Sequence, residues 1–281
     1  MLWKGRQQST NVDDRRGMSG GQFAVGGGVI GVIILLLNFF LGGDGSSIPE
    51  MMPGQQQATQ LSPQAQQEDD ERAEFVGVVL KETEDVWNEI FRQAGQQYQE
   101  PTLVLFRDFV QSGCGGASSQ SGPFYCPADQ RLYIDLSFYE DLQTRFKAPG
   151  DFAMAYVVAH EVGHHIQTLL GTSQKVNRAR QSLSEGEGNK MSVKLELQAD
   201  FLAGVWAHHT QRTKGILEEG DIEEALNAAN AIGDDRLQRQ SQGRVVPDAF
   251  THGTSAQRMY WFKKGYETGD IRQGDTFNSE F

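Results

Sequence analysis

The longest uninterrupted apolar run in the chain is Phe23 to Leu41, FAVGGGVIGVIILLLNFFL, and it holds no charged residue. At 1.5 Å per residue a helix over this run covers about 30 Å, the thickness of a bilayer's hydrocarbon core. A soluble core helix of that length keeps a polar stripe and this run has none, so the pattern predicts one transmembrane helix over residues 23–41. A cleaved signal peptide is the competing reading. LGGDGSS after the run lacks a small-x-small cleavage site, however, and the run is longer than a usual signal-peptide apolar region. Residues 42–73, GGDGSSIPEMMPGQQQATQLSPQAQQEDDERA, then lose all apolar periodicity and read as a flexible Gln/Gly/Pro-rich tether.

From residue 74 onward the pattern is that of one globular unit, residues 74–281. Phe75, Val79, Val86 and Ile90 form one helical stripe with Val78, Trp87 and Phe91 beside it, which predicts an amphipathic helix over 74–98. TLVLF, Thr102 to Phe106, follows a proline and reads as a buried strand. RLYIDLSF, Arg131 to Phe138, alternates and reads as a second strand, one that can offer an exposed edge to an extended substrate. Residues 151–170, 191–210, 221–231 and 255–268 have helical periodicity. The fold class expected is α+β, dominated by helix with a small sheet and preceded by the one transmembrane helix.

Charge places these parts. The chain carries 25 Lys+Arg against 37 Asp+Glu, a formal net charge of -12, and an acidic protein of this kind lacks the basic surface that nucleic acid requires. Residues 1–22 run against that balance, with Lys4, Arg6, Arg15 and Arg16 against Asp13 and Asp14, and the first charges after the apolar run are Asp44 and Glu50. The positive-inside rule therefore puts residues 1–22 in the cytoplasm and the globular unit outside it, on the periplasmic side in a Gram-negative cell. The only cysteines, Cys114 and Cys126, lie in a Gly/Ser-rich stretch. In such an oxidising compartment they are expected to form a disulfide, worth about 3 kcal/mol by loop closure, with two free buried thiols as the alternative.

The candidate chemistry begins in the 151–170 helix, with His160-Glu161-Val162-Gly163-His164. Imidazoles four residues apart project from one helix face and can share a tetrahedral Zn²⁺, while Glu161 reaches a water on the metal as general base. FAMAYVVA, Phe152 to Ala159, buries the helix, and an ionised Glu161 in such a place needs a water, a metal or a partner. His165 and Gln167 continue the polar run and are assigned no role. A catalytic zinc needs a third protein ligand, and in KLELQADFLAGVWAHH the carboxylates Glu196 and Asp200 share one stripe of an apolar helix. Glu196 is read as the ligand and Asp200 as acceptor of a ligating imidazole's free N–H. Asp200, His208 and His209 remain alternative third ligands. His252 and Arg258, either side of a helix start capped by Thr254 or Ser255, are candidate donors to an oxyanion.

HEVGH in a buried helix, ELQAD some thirty residues later and the anchor together resemble the gluzincin type of zinc metallopeptidase. The start, with Trp3, Gly5, Arg6, Ser9, Asn11, Val12, Asp14, Arg15 and Arg16, resembles that of the bacterial putative neutral zinc metallopeptidase family. The resemblance implies a membrane-anchored zincin-like domain in which His160, His164 and Glu196 bind one zinc, Glu161 is the base and Asp200 supports a ligand. The spacing of His252 and Arg258 is similar to that of a His and an Arg in related membrane zinc proteases, although those often have proline where this chain has Gly253.

The reaction expected is hydrolysis of a peptide bond in an unidentified peptide or protein substrate. Two other readings stand beside it. One is a non-catalytic, membrane-tethered binding or assembly protein with a structural zinc site; the other is a zinc amidase acting on a small cell-envelope substrate.

Overall fold

The structure is a computed structural model that describes residues 1–17 and 62–279. The expected transmembrane segment, residues 23–41, and the tether up to residue 61 lie outside the described residues. Among the described residues no helix is long and apolar enough to cross a membrane.

The elements in chain order begin with β1 (Val12–Asp14), α1 (Pro63–Gln93), β2 (Thr102–Phe106), β3 (Phe109–Ser112), β4 (Gly115–Ser118), β5 (Phe124–Cys126) and β6 (Arg131–Asp135). After a short helical turn at Phe138–Glu140 come α2 (Asp151–Leu169), α3 (Thr172–Arg180), α4 (Glu185–Lys214), α5 (Asp221–Ala231), α6 (Asp234–Gln242) and α7 (Ser255–Thr268). The described part is thus mainly helical with small sheets, an α+β arrangement. Helix α1 starts well before the expected residue 74. Ser62 caps it by accepting the Ala65 N–H at 3.3 Å, and Pro63 takes the first helical position, where its missing N–H costs nothing. The helix therefore begins at residue 63, inside the segment expected as tether. Apolar periodicity misses residues 63–73 because nearly all of that extension is solvated.

The main sheet has the order β1-β2-β6-β5, with β1, β2 and β6 parallel and β5 antiparallel to β6. Period-two alternation divides its side chains between two cores. Leu103, Leu105, Leu132 and Ile134 enter the main core beneath α1 and α2, and Val104, Phe106 and Tyr133 join Val110 and Cys126 on the other face. Two expectations are corrected here. The second strand stops at Asp135, and it is an inner strand rather than an exposed edge, because β5 occupies its outer side. The edge strands are β1 and β5. Cys114 and Cys126 form the expected disulfide, which ties the β3–β4 hairpin to β5.

Residues 1–17 are not a separate segment. Strand β1 extends the sheet beside β2, and Met1 is buried with its amino group 2.9 Å from Asp151, the first residue of α2. Residues 1–17 thus pack on the domain, through polar and aromatic partners that are far away in sequence and that no local pattern reveals.

Helix α2 lies at the centre, against α1, α4, α5 and the sheet, and α4 packs in turn on α7. The α4–α7 crossing is a backbone contact. A Cβ on Gly204 would sit 2.1 Å from the Phe262 carbonyl oxygen, and one on Gly265 would sit 2.0 Å from that of Phe201. Gly204→Ala is therefore expected to lower stability by at least about 2 kcal/mol, at the upper side of overpacking costs, as read from the denaturant midpoint. Gly186→Ala, in the first turn of α4 with nothing within 4 Å of the added methyl, should be neutral or gain up to about 1 kcal/mol.

Candidate metal centre

Helix α2 begins at Asp151 after Gly150, and its residues 152–163 are all buried, so His160 and Glu161 are carried inward by the apolar run that precedes them. Helix α4 opens with a capping box, Ser184 with Glu187, and its buried stretch from Leu197 to Ala207 holds it against α2. The two helices approach closely because residue 163 is glycine: a Cβ there would lie 2.9 Å from the Ala199 carbonyl oxygen. That approach places Glu196 opposite the paired imidazoles.

One donor atom from each of His160, His164 and Glu196 lies within 4.8 Å of the others. Glu196 Oε2 is 3.2 Å from His160 Nε2, and its Oε1 is 3.4 Å from His164 Nε2. In a tetrahedral zinc site with bonds near 2.1 Å, neighbouring ligand atoms stand about 3.4 Å apart. The donor set thus fits that ion in type and in spacing. His208 and His209, the alternative ligands, point elsewhere, to the carbonyls of Tyr266 (2.6 Å) and Gly269 (2.9 Å). A second carboxylate group, Asp151, Asp221 and Glu224, has the Met1 ammonium among it, 2.9 Å from Asp151 and 3.2 Å from Asp221.

Each imidazole has its own acceptor on the side away from the shared centre. Asp200 Oδ1 lies 2.8 Å from His160 Nδ1, so in the neutral ring the proton belongs on Nδ1 and Nε2 would be the ligating atom. Asp200 has no exposed surface, and Arg258 grips it from α7 through Nε (2.8 Å) and Nη2 (2.9 Å), while the Tyr156 hydroxyl donates to it. His164 Nδ1 lies 3.0 Å from Gln167 Oε1. The Gln167 amide in turn donates to the carbonyl of Leu195, 2.6 Å away and next to Glu196 in sequence. Gln167 was assigned no role on the sequence; its position three residues after His164 on one helix face was the available signal. His165 joins Gln99 and Tyr125, and so fastens α2 to β5.

Electrostatics follow this geometry. Burial pushes the imidazole of His160 down, but the charge and hydrogen bond of Asp200, with Glu196, outweigh it and hold His160 up to about 10. Burial likewise pushes Glu196 and Asp200 up. His164 and His160 pull Glu196 well below the usual carboxylate range, and Arg258 with His160 brings Asp200 down to about 2. Glu161 moves the other way: burial raises it, against the neighbouring imidazoles.

The centre opens onto a cleft of about 540 Å³, into which Glu161, His252 and the Ser119–Tyr125 segment face. His252 is half exposed; Asp234 lies 3.3 Å from its Nδ1 and accepts its backbone N–H at 2.6 Å. Arg258 also borders the cleft, and its Nε and Nη2 donate to Asp200 and the Tyr156 hydroxyl, which ties it to His160 through Asp200.

The family described as "Putative neutral zinc metallopeptidase" matches residues 1–277. The chain is 51% identical over 284 residues to the uncharacterized protein YpfJ of Escherichia coli K12, covering 99% of both chains. It is 47% identical over 192 residues to the uncharacterized protein Rv2575 of Mycobacterium tuberculosis H37Rv, covering 65% of this chain and 64% of that one. No solved structure matches it.

The hydrogen bond between His164 and Gln167 carries a prediction. Gln167→Ala leaves the ligands in place but frees the imidazole to rotate, and should weaken zinc binding about 10- to 100-fold in a chelator competition, with the far-ultraviolet circular dichroism unchanged. Unchanged affinity would show that Gln167 only packs.

Proposed function

The chain belongs to the putative neutral zinc metallopeptidase family, and from that premise we propose that it is a membrane-anchored, zinc-dependent peptidase with a zincin-like catalytic domain. One observation carries the reading: His160, His164 and Glu196 bring one donor atom each within 4.8 Å of one another beside Glu161, and all four open onto one cleft. A structural zinc site has four protein ligands, whereas among the described residues three donors converge here and the cleft side is open to water and substrate. That favours hydrolysis over a purely structural metal. Bound zinc would supply Lewis acidity and a water acidified toward neutral pH.

The protein's own residues do the rest. Glu161, raised by burial, takes a proton from the attacking water and returns it to the leaving amine. His252 faces the cleft with Asp234 behind its ring; burial pushes it down, Asp234 and Glu196 push it up, and the net effect is upward, toward a protonated donor for the oxyanion. Asp200 and Gln167 fix the two imidazoles so that neither has to reorient as charge develops. The free edge of β5 borders the same cleft at Phe124 and Tyr125, so an extended peptide can add to the sheet there. The docking strand in this reading is therefore β5 instead of the inner strand β6. The Cys114–Cys126 disulfide supports a catalytic domain in an oxidising, extracytoplasmic compartment, attached to the membrane through residues 23–41.

The test uses the full chain, wild type and Glu161→Gln, with zinc measured by elemental analysis and cleavage measured on a mixed-peptide library and a panel of small cell-envelope amides. About one zinc in both proteins is expected, with peptide cleavage reduced about 10²- to 10⁴-fold in the variant. Cleavage of the amides alone would move the substrate class, and equal cleavage by both proteins would remove Glu161 from the reaction. His252→Ala and Arg258→Ala should separate in kind. The first should lose about 10²- to 10³-fold in kcat with zinc retained. The second, which strands a buried Asp200, should lose stability and zinc together.

A further inference from the structure

The N-terminal pattern has no part in the cleft, yet nearly every residue in it has a partner in the domain. Trp3 packs edge-on against Phe75 of α1, with ring centroids 5.3 Å apart. Arg6 donates to Glu82 at 2.8 Å. Ser9 donates to Glu84, and Asn11 bridges Glu84 and Glu100 at 2.8 Å each. Val12 to Asp14 pair in parallel with Leu103 to Leu105, and the Arg15 N–H continues the ladder to the Leu105 carbonyl at 2.8 Å. Arg16 closes the series on Asp69 (2.6 Å) and Asp70 (3.1 Å), at the start of α1.

The receiving carboxylates Glu82, Glu84 and Asp69 are buried to 5% exposure or less, which befits charges that keep permanent partners. Helix α1 is also shaped for the crossing. At Gly77 an added Cβ would lie 3.1 Å from Gln8 Oε1, and the Gly77 carbonyl accepts the Ser9 N–H at 3.0 Å.

This packing fixes a topology. The Arg16–Asp69 pair brings the chain on both sides of residues 18–61 to one place on the domain surface. A single membrane crossing requires its two flanks on opposite sides, which would separate Arg16 from Asp69 and β1 from β2. We infer that residues 1–17 and residues 62–279 face the same compartment. The expected cytoplasmic N-terminus with an extracytoplasmic domain is incompatible with that arrangement. The inference does not depend on the peptidase reading, since it uses no residue of the metal centre.

The experiment places a single cysteine at Thr10 or at Arg272, both exposed, in the full chain, and labels intact and permeabilised cells with a membrane-impermeant maleimide. Both positions are expected to respond alike, either labelled in intact cells or only after permeabilisation. Labelling of one position in intact cells and of the other only after permeabilisation would overturn the inference. A second measurement reads the contact itself. In Gln8→Cys with Gly77→Cys the Cβ atoms would be 3.6 Å apart, within disulfide range. With a protease site inserted within residues 42–61, the two fragments should stay joined after oxidation and cleavage until a reductant is added. Fragments that part without reductant, although the protein is zinc-loaded, would overturn the contact while leaving the metal centre standing.

Discussion

Asp200 is the interaction on which the arrangement of the other parts depends. A carboxylate with no exposed surface is several kcal/mol unfavourable unless its charge and lone pairs are met. Here three partners meet it, from two other helices: Tyr156 and His160 on α2, Arg258 on α7. The requirement to satisfy one buried group therefore sets the rotation of α4 against both neighbours. Glu196, one turn earlier on α4, is then delivered to the imidazoles as a consequence of that rotation. The close crossings that permit it come from glycine, at position 163 between α2 and α4 and at positions 204 and 265 between α4 and α7.

The charges of the centre balance in the same economical way. Arg258 cancels Asp200; with both imidazoles in the neutral form that ligation requires, Glu196 and Glu161 would be left as the uncompensated carboxylates. A divalent ion would neutralise them, and in a buried site a neutral sum avoids the cost of residual charge. The two imidazoles of the candidate centre are nevertheless not equivalent. His160 leans on a carboxylate and His164 on an amide, so the acceptor behind His160 makes it the more basic of the two.

What could be read from the sequence was what depends on near neighbours. Helix α5 and helix α7 lie at the expected residues, and α2 within one residue of them, because caps and a 3.6-residue period are local signals. Helix α4 starts six residues before the expected 191, in turns too polar to show a stripe, although the Ser184 and Glu187 capping box marked the start. The sheet order was out of reach: β6 becomes an inner strand because β2 and β5 flank it, and β2 gains β1 from the far end of the chain. At the site, the spacing of HEVGH and the lone carboxylate stripe of α4 pointed to residues that do converge. The role of Arg258 did not follow from its distance to His252 in sequence, since the group that claims it lies on another helix.

Gly253 illustrates how one departure from a related pattern can be a local necessity. Its φ of +93° lies in a region closed to proline, whose ring fixes φ near −65°. Its N–H also donates to Asp234 at 2.9 Å, and proline has no N–H to give. Together with the N–H groups of Thr251 and His252, at 2.7 and 2.6 Å, it makes Asp234 Oδ2 the acceptor of three successive backbone donors. Burial raises Asp234, but the hydrogen bond of the His252 imidazole at Oδ1, joined by these backbone donors, holds it below the usual range. In this chain a glycine-dependent turn thus aims His252 at the cleft, and the loop achieves by anchoring three N–H groups on one carboxylate the rigidity that a proline would bring by closing its ring.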